Sequence, residues 1–503
     1  MASILRIKLS RMLNAAIFFL FTFLQMIFVS WVSIRQDPPQ IPVNTPFPLR
    51  ALHILGFYIT LNPFDETGDI NLRFTVLLVL LTAGLQILLL AFLINIVFSN
   101  KNMVQIYPDP LYGPAYSPEE TPLVEKTISL VTKVSKHANI RVTKIFVYRK
   151  AVPNAFSLDL LPIPFLRRPY LVLNTNVLEI LNDKEIESVI AHELAHVKNG
   201  DSLVRLVLSI PRTFLTLAYL FIYLQVGTGI LTAIFDSQDY LAALNRAIFL
   251  VFAYLLIAFV MRLTVHFLYS ANRNAEFLAD YYAAKLFGPN VLINSLIHLG
   301  QRSEAMQTLY REIEWLEGLS GTRKPTTAFL RLVNQRFPEN QLDEDVAREN
   351  APKVFLEAKF DELINNYGIE LDENIKNELI EKAIPALLEK RYKYFADLDE
   401  ESKDMKPSDL KLKTIDWRFF DSDSNFILEE EEIESFIETL IAEPDKMVFE
   451  HELFGTNEQD QDHPNFRTRV LAIFRFFKPQ KYEEILNRVT SLTVKENISS
   501  VRG

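Results

Sequence analysis

The chain has 503 residues, 49% of them hydrophobic (38 are Phe) and 23% charged, so apolar and polar residues must lie in separate blocks. Its net charge of -10 gives no support to a nucleic-acid partner. It has no Cys, which excludes disulfides, thiolate nucleophiles and Cys-ligated metals and leaves any metal site to His and carboxylates.

Four stretches are apolar enough to span a bilayer, which takes about 20 residues. They run from Leu13 to Ile34, Phe74 to Phe98, Thr213 to Ile234 and Ala247 to Tyr269. Arg6, Lys8 and Arg11 place the N-terminal side of the first in the cytoplasm. No small-x-small cleavage site precedes Gln36-Asp37-Pro38-Pro39, so this stretch reads as an anchor, with the Pro-rich loop 35–73 outside.

The segment 101–201 mixes signals. Glu119 to His137 has helical periodicity, while Val142 to Tyr148 and Tyr170 to Leu173 read as short strands. Asn182 followed by Glu185 resembles a capping box that opens a helix running through Val197. The third and fourth spans follow as a hairpin, and the helix after Tyr269 is expected to end at Gly288-Pro289. From Arg302 to Asp462 the chain is acidic and mostly helical, with turn signals at Phe337-Pro338-Glu339-Asn340 and Lys406-Pro407-Ser408. A last helix is expected over 466–477.

The strongest motif is His192-Glu193-Leu194-Ala195-His196. Positions four apart on a helix share a face, so both imidazoles can grip one ion. Glu193 stands beside them, placed to take a proton from water. A catalytic zinc needs a third protein ligand and one open position. Glu276 and Asp280 are candidates one helical turn apart, one to bind metal and one to orient an imidazole. On spacing alone, an ordinary exposed acidic pair is the favoured reading of the two. Topology adds a check: two spans separate His196 from Glu276, and an even number returns the chain to the same face. Both positions then lie roughly 10–20 Å from the bilayer edge.

The ordered set Pro153-Asn154-Ala155-Phe156, HELAH with Asp201 five residues on, Arg273 with Glu276 and Asp280, and His463-Pro464 with Arg469 resembles the HtpX-like heat-shock peptidases and the related CAAX prenyl proteases. The resemblance covers under half the chain. It implies that His192, His196 and Glu276 bind one zinc per chain, that Glu193 is the general base, and that Asp280 bonds a ligand imidazole, with Arg273 and Asp201 close behind. It further implies that Asn154, Ala155 and Phe156 form an edge strand on which substrate backbone pairs. His463 and Arg469 would complete the cleft, by aiding the oxyanion or holding Glu276. The sequence departs from short bacterial members in its Pro-rich outer loop and its large acidic insertion.

The expected fold is mainly α: a four-helix transmembrane domain with a cytoplasmic zincin-like α+β catalytic domain holding a small sheet, and an acidic helical insertion. The expected organisation is a transmembrane hairpin over 1–100, a zincin-like part over 101–202, a second hairpin over 203–270, the Glu276 helix over 271–301, the insertion over 302–461 and a closing segment over 462–503. The expected activity is zinc endopeptidase on membrane or membrane-associated proteins, in quality control. Its partners are a protein or peptide substrate and the lipid bilayer, with no nucleic acid. The alternatives are a CAAX-type processing protease and an inactive membrane scaffold or chaperone. A channel or transporter is disfavoured by the lack of helices broken by Gly or Pro at mid-span.

Two weaker signals remain. Asp421 to Glu432 has the spacing of a calcium-binding EF-hand loop, but Phe426 stands where the turn wants Gly and no second loop accompanies it. It reads first as an acidic helix start. Arg205, Arg212, Arg262 and His266 lie in or beside spans three and four. His53, His137, His298 and His451 have no motif partners and read as surface or core residues.

Overall fold

A computed structural model of the chain describes residues 2–34, 102–108, 116, 118–149, 153–159, 168–205, 240–319, 344–367, 372–401, 414–449 and 464–501, with scattered positions at 84–99 and 207–234. In chain order its helices are α1 (Ala2–Ile34), α2 (Thr121–Ala138), α3 (Thr175–Ile180), α4 (Asp183–Asn199), α5 (Tyr240–Phe287), α6 (Pro289–Leu319), α7 (Glu344–Tyr367), α8 (Glu373–Glu401), α9 (Glu430–Ala442), α10 (Phe466–Phe477) and α11 (Pro479–Val501). The strands are β1 (Met103–Tyr107), β2 (Lys144–Tyr148), β3 (Ala155–Asp159) and β4 (Pro169–Asn174). The chain divides into one unit of residues 1–99, 200–275 and 459–463 and another of 100–199, 276–458 and 464–503.

In the first unit, α1 and α5 run antiparallel and meet through polar side chains. Asn14 donates to Ser270 at 2.8 Å, Asn274 to Ser10 at 3.2 Å, and Gln25 to Thr264 at 2.9 Å. Arg11 pairs with the buried carboxylate of Asp201. The outward faces are apolar: Leu9, Met12, Leu13, Phe19 and Leu20 on α1, and Leu244, Ile248, Val251, Phe252, Leu255 and Phe259 on α5, are all exposed. Of the four apolar stretches, 74–98 and 213–234 lie largely outside the described residues, and 13–34 and 247–269 fall inside α1 and α5. Among the described residues, no helix is long and apolar enough to cross a membrane.

The second unit is built on a mixed sheet of order β1-β2-β4-β3, antiparallel except for the parallel pair β2 and β4. Side chains alternate across it. Val104, Ile106, Ile145, Val147, Leu171 and Leu173 share the face packed on Val131 and Val134 of α2 and on Ile186, Ile190 and Leu194 of α4. Each such burial contributes about 1.5–3 kcal/mol before the entropy of ordering is counted. The same core continues into Ile293 and Ile297 of α6, Trp417, Phe436 of α9, and Val470 and Phe474 of α10. Residues 414–449, inside the acidic stretch, thus share their core with the sheet. A separate core joins Met306, Leu309 and Ile313 of α6 to Val354 and Phe355 of α7.

The expected capping box is present: the Glu185 amide donates to Asn182 at 3.1 Å, and the Asn182 amide to Glu185 at 3.0 Å. The helix expected to end at Gly288-Pro289 stops at Phe287, with Gly288 at φ +100°, a conformation that favours Gly. The sequence reading had the β2, β4 and α10 segments, but not β1 or α11. Both turn signals, at 337–340 and 406–408, lie outside the described residues.

Candidate metal centre

Helix α4 carries both motif histidines. Its apolar residues Ile186, Ile190, Leu194 and Val197 are buried, which fixes its rotation about its axis. Helix α5 brings Glu276 and Asp280 to the same place through buried Ala275, Ala279 and Ala283, whose small side chains permit close approach. The Nε2 atoms of His192 and His196 lie 3.2 Å apart. One Glu276 oxygen is 3.4 Å from His192 Nε2 and the other 3.6 Å from His196 Nε2.

These three edges are a test of fit. Ligands held about 2.0–2.1 Å from a tetrahedral zinc stand about 3.3–3.4 Å from one another. The three spacings, with those to Glu276 running to different oxygens of its one carboxylate, are near that size, and two imidazoles and a carboxylate are a donor set that zinc takes.

Behind the triangle, His192 Nδ1 lies 2.9 Å from Asp280. Arg469 of α10 donates to both Asp280 oxygens, Nε at 2.9 Å and Nη2 at 2.6 Å. Burial alone raises a carboxyl pKa, but the Arg469 guanidinium and the His192 ring hold Asp280 down to about 2. Burial works against a charged His192, yet the Asp280 and Glu276 carboxylates raise its pKa to about 10 before any metal competes for the ring. Arg469 is half-buried, which works against its charge, yet the carboxylates of Asp280, Glu276 and Glu193 hold it above the ordinary arginine range.

Residues 122–311 match the model of Peptidase family M48. Similar proteins include "Protease HtpX homolog" of Janthinobacterium sp. (strain Marseille), 29% identical over 175 residues, and "Protease HtpX" of Shewanella baltica (strain OS185), 28% identical over 184. "Protease HtpX homolog" of Pyrococcus furiosus is 26% identical over 219 residues. Residues 122–311 thus resemble a domain of peptidase family M48, of the kind found in proteins named HtpX. The matched stretches are 34%, 35% and 43% of this chain and 56%, 60% and 66% of those proteins, so the chain spans little more than half the length of the first of these relatives.

The second unit holds His192, Glu193, His196, Glu276, Asp280, Arg469 and Asn154 to Phe156, of which Arg469 lies outside the stretch that matches family M48. Asp201 and Arg273 belong to the first, where Asp201 faces Arg11. His463 lies outside the described residues. The Arg469 fork engages Asp280, whereas the sequence had offered Glu276 or the oxyanion. Asn154 is exposed and immediately precedes β3, which occupies the sheet edge and contains Ala155 and Phe156.

The EF-hand-like stretch brings carboxylate oxygens of Asp421, Asp423 and Glu432 within 4.8 Å of one another. Phe426 takes φ +63°, the left-handed turn for which Gly is preferred. The Asp421 carboxylate accepts the Asn425 and Phe426 amides at 3.1 and 2.8 Å, and Glu432 accepts the Glu429 amide in a capping box.

Sequence reasoning missed the partners of His298. Its Nδ1 is 3.1 Å from Glu185 and its Nε2 is 2.6 Å from the Phe426 carbonyl. It therefore joins the start of α4 to a loop that lies 128 residues beyond His298 itself, and no local pattern announces such a pair.

Proposed function

We propose that this protein is a membrane-integral, zinc-dependent endopeptidase that hydrolyses peptide bonds in membrane or membrane-associated proteins, in the service of protein quality control. The observation that carries the reading is the triangle of His192, His196 and Glu276 with Glu193 next to His192 in the chain. The names of the similar proteins agree with proteolysis.

In this reading His192, His196 and Glu276 hold one zinc. Zinc in that position supplies Lewis acidity toward a scissile carbonyl and toward water. Glu193 takes the proton of the attacking water and delivers it to the leaving amine. Asp280, steered by Arg469, fixes the His192 ring so that Nε2 points to the metal. Substrate backbone lies along β3 over Ala155 and Phe156, with Asn154 at its entrance, by β-augmentation. His463 lies outside the described residues, and its part in the cleft rests on the family resemblance alone.

Membrane integration is supported by the four apolar stretches of the sequence and by the outward apolar faces of α1 and α5 over a polar seam. Interhelical polar contacts of that kind hold helices together in lipid. The Arg6, Lys8 and Arg11 cluster favours a catalytic side facing the cytoplasm.

The test pairs zinc quantification on the purified full chain with proteolysis of a membrane substrate by wild type and Glu193→Gln. About one zinc per chain in both proteins, with hydrolysis lost only in Glu193→Gln, supports the reading. A metal-free wild type, or a fully active variant, refutes it. Extraction of the protein from membranes by alkaline carbonate would refute integration.

A further inference from the structure

The register of β3 determines which of its peptide groups face outward. The Asn174 amide donates to the Asn154 carbonyl at 2.9 Å, which makes these two a hydrogen-bonded pair. Bonded pairs alternate along an antiparallel ladder. The register continues with Ala155 opposite Leu173, Phe156 opposite Val172 and Ser157 opposite Leu171. Phe156 therefore turns its main-chain groups toward β4, while Ala155 and Ser157 turn theirs to the strand's outer edge. Ala155 packs on the helix-side core, and alternation puts the Ser157 side chain on that face too. There the Ser157 hydroxyl donates to the main-chain carbonyl of Glu193 at 2.8 Å. A residue whose peptide unit faces outward is thus bonded directly to the backbone of the proposed base.

We propose that Ser157 is a positioning residue, whose hydroxyl on the Glu193 carbonyl sets the register between a peptide strand laid on β3 and the Glu193 carboxylate. This rests on the peptidase reading above and deepens it. The ladder to β4 fixes β3 within the sheet. Against α4, apolar packing is non-directional and leaves small sliding displacements inexpensive. The hydroxyl adds a directional tie at the centre of the strand, at the helix residue that must meet the scissile bond. Misplacement of reacting groups by about 1 Å can cost on the order of a hundredfold in rate, so a single bond here acts on chemistry more than on affinity. A carbonyl oxygen has two lone pairs, so Glu193 can accept from Ser157 while keeping its helical bond.

The test uses the zinc-loaded full chain in detergent with β-casein, fragments identified by mass spectrometry, and a fluorogenic peptide copied from the main cleavage site. Variants are Ser157→Ala, Ser157→Thr and Glu193→Gln. Ser157→Ala is expected to keep its zinc and melting temperature, lose about three- to tenfold in kcat with KM changed less than about twofold, and spread cleavage to bonds beside the main site. Ser157→Thr, which keeps the hydroxyl, restores the single site. A readout without turnover uses the Glu193→Gln background. Bound peptide slows hydrogen exchange at the Ala155 and Ser157 amides, and added Ser157→Ala reduces that protection about threefold or more.

If Glu193→Gln is inactive while zinc-loaded Ser157→Ala cleaves the same bonds at the wild-type kcat, the Ser157 assignment is overturned and the peptidase reading stands. If Ser157→Thr fails to restore the single site, the assignment also falls. If Glu193→Gln is as active as wild type, both fall together.

Discussion

Replacing Arg469 with Met keeps the length and most of the volume of the side chain but removes its charge. Asp280 is fully buried, with Arg469 donating to both of its oxygens at 2.9 and 2.6 Å and His192 Nδ1 lying 2.9 Å away. Without the guanidinium, a buried carboxylate is left with one imidazole that the metal also claims. Breaking a buried pair from one side costs about 3–5 kcal/mol, because the remaining charge is uncompensated. For a domain of a few hundred residues that corresponds to a fall in melting temperature of roughly 6–20 °C. Freed from Arg469, Asp280 also orients His192 less well, and losses of this kind weaken metal affinity by about 10–100-fold. The assay is a melting curve of the metal-free protein, together with a chelator competition for zinc, on wild type, Arg469→Met, Asp280→Asn and the double variant. The double variant should melt above the sum of the two single losses, since removing both charges leaves none stranded. An Arg469→Met protein that melts and binds zinc as wild type does would refute this account of the pair.

Two further outcomes are expected. Gly300 lies in α6 beneath the Phe449 ring, and a Cβ there would stand 2.5 Å from Cζ. Gly300→Ala should therefore destabilise by about 1–3 kcal/mol through overpacking, less the roughly 1 kcal/mol of helix propensity it gains, and Phe449→Leu in the same protein should relieve the clash; urea melts measure both. Although burial opposes its charge, His298 has its pKa raised by Glu185 and the Phe426 carbonyl. A raised folded-state pKa means that its contribution is present in full below the unfolded value of about 6.5 and is lost as pH climbs through the folded value. Wild type should thus lose stability relative to His298→Gln on going from pH 6 to pH 9, and parallel melting curves across that range would contradict the assignment.

Local signals carried much of the fold. The Asn182 and Glu185 box, the Gly288-Pro289 stop and the 466–477 helix were legible because each is decided by chain neighbours, as when Asn465 caps α10 by accepting the Thr468 amide at 2.8 Å. The His192 and His196 pair was legible because four-residue spacing fixes a shared face. What depended on distant partners was not. Strand β1 is five residues long and exists by pairing with β2, so next to an apolar stretch it carried no separate signature. Arg469 meets Asp280 across 189 residues, and its choice of Asp280 over Glu276 is a matter of packing between α10 and α5. Ser157 offered no motif, since a hydroxyl in a strand is commonplace until its acceptor is seen. The core role of residues 414–449 was hidden by the acidity around them, although Trp417, Ile433, Phe436 and Ile437 are buried.

Zinc-edge X-ray absorption on the purified full chain probes the coordination sphere without reference to turnover. A four-coordinate ion with two imidazoles and oxygen donors at about 2.0–2.1 Å, reduced to one imidazole in His196→Ala, is the predicted result. A spectrum without paired imidazoles, or one unchanged by His196→Ala, would contradict the proposed centre.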